Sequence, residues 1–110
     1  MPTVLSTGTA DLVLNTPMTI YTSSANKHYA GFINFDEMDT GDTTILLVKT
    51  KVLSGDSFAT YYPQTFTGPD GGLDSPVFLI PITGCPYGIE IILQQTAGTV
   101  RDYKWQFNEP

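Results

Sequence analysis

Residues 99–108 read TVRDYKWQFN, and their alternation decides the fold class. Arg101, Tyr103, Trp105 and Phe107 fall on one face of an extended chain, and Asp102, Lys104, Gln106 and Asn108 on the other. A period of two with one apolar and one polar face is the mark of a half-buried antiparallel strand. Upstream, Ile89–Gln95 (IEIILQQ) forms a second strand signal, joined to the first by Thr96-Ala97-Gly98. Val77–Ile82 is a short apolar run of the kind a buried strand presents. Phe58–Phe66, Thr43–Leu53 and His28–Phe35 add three more. Asp11–Asn15 and Met18–Thr22 read as one strand interrupted at Pro17, because proline lacks the ladder donor. No stretch of ten residues shows helical periodicity.

Turn signals separate these runs. Thr40-Gly41-Asp42-Thr43 and Ser54-Gly55-Asp56-Ser57 bracket the longest strand and read as two hairpin turns. Thr67–Pro76 (TGPDGGLDSP) is the clearest loop in the chain. The pattern predicts an all-β, single-domain antiparallel β-sandwich, jelly-roll-like or Ig-like, of about eight strands. Residues 1–10 read as an N-terminal arm or edge strand and residues 11–110 as the sandwich. Phe32, Leu46, Val48, Ile80, Ile91, Leu93, Tyr103, Trp105 and Phe107 are the expected core.

The composition agrees. Charged residues make up 15% of the 110 residues, against about a quarter in ordinary domains. Sixteen threonines and only three glutamates favour half-exposed strands over helices. The net charge of −6 repels phosphate, so neither nucleic acid nor an anionic membrane surface is an expected partner. Cys85 is the single cysteine, which excludes an internal disulfide. Met1–Asn15 has no basic segment followed by an apolar one, so no secretory signal peptide is expected.

No group of residues reads as a catalytic site, and no cofactor is expected. Asp36, Glu37, Asp39 and Asp42 crowd one loop, but their spacing does not match a calcium-binding loop, and no metal site is assigned. Asp70 and Asp74 read as turn residues. His28 is the only histidine, and nothing basic lies near Cys85 in sequence to activate it. Tyr61, Tyr62, Tyr87, Tyr103 and Trp105 are candidates for a sugar-stacking platform, but adjacent Tyr61 and Tyr62 point to opposite faces and most of the five suit the core.

The segments GFINFDEMDTGDTTILLVKTKVLSG (31–55) and ILQQTAGTVRDYKWQF (92–107) resemble small β-sandwich proteins encoded among the virion genes of tailed bacteriophages. That resemblance implies a capsid decoration or accessory protein, made in the host cytoplasm and located in the virion, with no enzymatic activity. The expected partners are a major shell protein or the chain itself, and pairing through an open strand edge suits a closed symmetric homo-oligomer, for instance a trimer. A small carbohydrate-binding or other extracellular binding module is the alternative. For assembly contacts the residues point to the N-terminal region, where Thr3–Asn15 has no Lys, no Pro and one acid. Thr3, Val4, Leu5, Leu12, Val13 and Leu14 are the candidates, because an unblunted edge can add a strand from a neighbour.

Overall fold

The computed structural model describes residues 3–73 and 76–109, and among them every regular element but one short 3₁₀ turn is a strand. The eight strands are β1 (Thr3–Asp11), β2 (Met18–Ser23), β3 (Lys27–Asn34), β4 (Thr43–Thr50), β5 (Ala59–Thr67), β6 (Val77–Cys85), β7 (Ile89–Ala97) and β8 (Asp102–Glu109). They form two four-stranded sheets, β1-β8-β3-β6 and β2-β7-β4-β5, with every pairing antiparallel. Only β4 and β5 are consecutive strands of one sheet; every other connection crosses to the facing sheet. This strand order is the jelly roll. The Thr40–Thr43 turn is therefore part of a crossover between sheets, not a hairpin turn as its sequence suggests, whereas the Ser54–Ser57 turn does lie within the β4–β5 hairpin.

The core lies between the sheets and is held by rings. Phe35 stacks on Phe66 at 4.2 Å, Phe66 meets Phe78 edge-on at 4.9 Å, and Tyr103 stands edge-on to Phe35 at 5.5 Å. Tyr21 stacks on Phe107 at 5.0 Å, so the aromatic contact bridges the two sheets. Two glycines make room for this packing. A β-carbon at Gly31 would lie 2.5 Å from the Phe107 ring, and one at Gly8 2.8 Å from the Trp105 ring. Each glycine is the cross-strand partner of the aromatic residue that covers it.

Seven of the nine expected core residues are buried: Leu46, Val48, Ile80, Ile91, Leu93, Tyr103 and Phe107. Trp105 has the expected phase but is only partly buried, because it sits over Gly8 of edge strand β1. Phe32 is a correction. HYAGFINF is apolar on both faces, and the phase that wins buries Tyr29, Ile33 and the following Phe35, leaving Phe32 on the outer face. A one-residue shift exchanges the faces of a whole strand, and two aromatic rings and an isoleucine outweigh one phenylalanine. We expect Ile33→Ala to cost about 3 kcal/mol and Phe32→Ala about 1 kcal/mol in denaturant unfolding. Equal costs would mean that the phase of β3 is reversed.

The N-terminal segment is also re-divided. Residues 3–11 form an edge strand paired along β8, and residues 12–17 form a loop where the sequence suggests a strand. Leu12 supplies the apolar signal from that loop by turning into the core, 2% exposed. The side chain of Tyr61 and the residue Asp74, both considered above, lie outside the described residues, as do the side chain of Thr3 and Met1 and Pro2.

Candidate functional site

Antiparallel alternation sorts the connections onto the two ends of the sandwich. Residues 12–17, 35–42, 68–73 and 98–101 gather at one end with Pro76, tied by Asn15 N–H donating to Gln95 C=O (2.7 Å), Phe35 N–H to Pro76 C=O (2.7 Å) and Gly68 N–H to Asp42 C=O (3.0 Å). Residues 24–26, 51–58 and 86–88 gather at the other, where Thr50 Oγ1 donates to Gly88 C=O (3.0 Å).

The first end holds a buried polar network. Asp42 is almost fully buried; its carboxylate accepts from Arg101 Nε (2.8 Å), Thr99 N–H (3.0 Å) and Asp39 N–H (2.9 Å). Gln95, fully buried on β7, donates through Nε2 to the carbonyls of Thr99 (2.6 Å) and Ala97 (3.1 Å). Its Oε1 accepts from Arg101 N–H and from the Tyr103 hydroxyl, both at 3.1 Å. Having spent its proton on Gln95, Tyr103 accepts from Thr44 Oγ1 at 2.7 Å. Thr44 and Gln95 belong to one sheet and Tyr103 to the other, so these bonds pin the sheets together. No buried side-chain nitrogen or oxygen among the described residues lacks a partner.

This network is structural chemistry. Its buried polar side-chain atoms are all partnered, and the partly exposed Arg101 guanidinium is its one bonded side chain that reaches solvent. The acidic loop is likewise not a cluster: Asp42 points inward to Arg101, while Asp36, Glu37 and Asp39 are exposed. Among the described residues, no three His, Cys, Asp or Glu side chains are placed to hold a metal ion. Cys85 is buried, and exposed His28 lies against Gly84.

Two carboxyls are shifted in opposite senses. Burial would raise Asp42, but its bonds to Asp39, Arg101 and Thr99 overcome that and hold it below the usual carboxylate range. Asp102 is raised by lost hydration, then by Asp11 directly opposite it on β1, and by Glu37. The signs follow from linkage. A lowered carboxyl contributes stability above its unfolded value, near 3.8, and that stability is lost as pH falls through the folded value. A raised one is a penalty that is absent below the unfolded value, 3.8, and complete once pH has passed the folded value. We therefore expect Asp102→Asn to raise the melting temperature at neutral pH, with the gain vanishing near pH 3.8. Asp42→Asn should lower it at neutral pH and lose its effect only in stronger acid. Thermal melts across pH separate the two, and a stabilising Asp42→Asn would contradict the assignment.

The candidate assembly residues do not form one patch. Val13 is 66% exposed and Leu14 is also exposed, both in the loop at the network end; Leu12 is buried. Val4 is exposed on β1, Leu5 packs partly against the core at a β-bulge, and Thr3 is paired with Glu109. Sequence reasoning missed two further apolar exposures. One is the tip of the β4–β5 hairpin, where Val52 is 81% exposed and Leu53 is also exposed. The other is an open cleft of about 220 Å³ on the outer face of the β1-β8-β3-β6 sheet, lined by Phe32, Asn34, Val77, Lys104, Trp105 and Gln106, with exposed Leu79 paired beside Phe32. The signal for it was present in HYAGFINF and VFLI, which are too apolar for strands with one solvated face. The described members of the sugar-platform set do not come together: Tyr103 is buried, Tyr62 and Trp105 pack against the core, and Tyr87 is exposed in the turn before β7.

No known protein family, curated protein or solved structure gives a significant match to this chain.

Proposed function

We propose that this chain is a non-enzymatic structural protein of a virus particle, a capsid decoration or accessory protein that binds a shell protein or its own copies. The observation that carries the reading is how the molecule distributes its polar and apolar groups. Buried Asp42, Thr44 and Gln95 are engaged in bonds that tie the loops and lock the two sheets, while apolar side chains stand exposed on an edge strand, a loop, a hairpin tip and an outer sheet face. Several separate apolar contact points suit a subunit packed among neighbours better than an enzyme built around one cleft. The jelly-roll strand order supports it by analogy of fold, since shell proteins and lectins both use it.

One observation favours a second reading, a small carbohydrate-binding module. The outer-face cleft sets the Phe32 ring beside the amides of Asn34 and Gln106 and the amine of Lys104, a combination that can stack and hydrogen-bond a sugar. Two binding measurements separate the readings. The purified chain should co-sediment saturably with shells of its source particle and pass unretarded through polysaccharide columns. Retention on a polysaccharide that Phe32→Ala abolishes, without sedimentation on shells, would replace the shell reading with the module.

A further inference from the structure

We propose that two copies of this chain pair through β1 about a two-fold axis at Gly8, joining their first sheets into one continuous eight-stranded sheet. The proposal deepens the reading as a repeated subunit, and it rests on a contrast among the molecule's own edges. The two sheets expose four edge strands, β1, β6, β2 and β5. β6 carries Pro81 and β5 carries Pro63 within the strand, and each proline removes a ladder donor. β2 is six residues long and bulged between Thr19 and Tyr21. These are devices that keep edges from pairing. β1 has nine residues, no proline and no lysine, and its one bulge lies at the Val4/Ser6 end, so Ser6–Ala10 runs in regular register along β8.

That regular segment is self-complementary. With the axis at Gly8, antiparallel pairing sets Thr7 opposite Thr9 of the second copy, Thr9 opposite its Thr7, and Ser6 opposite its Ala10. Thr7 and Thr9 are exposed, and threonine pairs across strands are favourable. The negative chain does not oppose this contact, because Asp11, the only charge on β1, lies beyond the paired segment and at opposite ends in the two copies. A parallel arrangement would instead set Asp11 against Asp11. Two-fold pairing also uses up both β1 edges, so it closes at a dimer, whereas growth from β1 onto a neighbour's β6 meets Pro81.

Sedimentation velocity over a concentration series tests this. The wild-type chain should reach the mass of a dimer. Thr7→Glu/Thr9→Glu sets acids opposite acids at both positions and should halve that mass with an unchanged melting temperature. Thr7→Lys/Thr9→Lys should do the same alone, and an equimolar mixture of the two variants should recover the dimer. A wild-type monomer throughout, a dimer that persists in the Glu variant, or a mixture that stays monomeric would overturn the pairing. A Thr7→Cys/Thr9→Cys variant keeps the question answerable if charge disturbs the fold. Opposed residues lie about 4.5–5.5 Å apart at Cα, within disulfide reach, so oxidation should give a covalent dimer, and its failure to form would count against the register. A wild-type monomer that still binds shells would sink this inference and leave the shell reading intact; a dimer that binds no shell would do the reverse.

Discussion

Replacing Gln95 by leucine should destabilise the protein by about 3–4 kcal/mol, lowering the melting temperature by on the order of 15 °C. The substitution is nearly equal in size and makes β7 more apolar, so an account based on hydrophobicity alone expects no loss. The cost arises because Gln95 serves four partners at once. Without it, the Tyr103 hydroxyl and the Arg101 N–H lose their acceptor, and the Ala97 and Thr99 carbonyls lose their donor. Burying such groups without partners costs more than the bonds contribute in net terms. A double-mutant cycle with Tyr103→Phe isolates the shared part: Tyr103→Phe should cost less in the leucine background than in the wild type. Additive costs would mean that Gln95 and Tyr103 act independently and that the network is not a unit.

Gly98→Ala should cost about 4 kcal/mol, and the control is built into the chain. Gly98 and Gly41 both have φ of +88°, where a side chain is strained. Around Gly41 a β-carbon would meet nothing within 4 Å, so Gly41→Ala reports the backbone strain alone, about 1 kcal/mol. At Gly98 the added carbon would collide with Asp42 Oδ1 and come within 2.7 Å of Asp42 Cα. Asp42 must then move, and its bonds to Arg101 and Thr99 go with it. The difference between the two alanine variants in denaturant unfolding measures that displacement. Equal costs would show that the β7–β8 turn does not press on Asp42.

What the sequence makes legible follows from the range of each interaction. TVRDYKWQFN shows the phase of β8 because its alternation is local and clean, and the apolar run of β7 is as plain. Polar Gln95 at an inward position of that run was a readable sign of buried polar contacts. The partners were not readable, because Asp42 and Arg101, like Thr44 and Tyr103, stand 59 residues apart and meet only through the strand order. Strands apolar on both faces, such as β3, leave their phase to global packing, which is how Phe32 came to the surface. Leu12 misled for the opposite reason: its burial comes from a loop turning inward, which leaves no periodic trace. The crossover at Thr40–Thr43 looks like a hairpin because turn chemistry is the same whether the chain returns to its own sheet or passes to the facing one.

The sandwich is locked by internal polar bonds and exposes apolar side chains on several sides, which the proposed function reads as the surface of a subunit among neighbours. The proposed role as a particle subunit requires the chain to be present in fixed proportion to the shell. The decisive measurement is its copy number in gradient-purified, salt-washed particles, determined by quantitative mass spectrometry against the major shell protein. The account predicts a constant stoichiometric ratio from one preparation to the next. A chain that is absent from the particles, or present in trace and variable amounts, would contradict it.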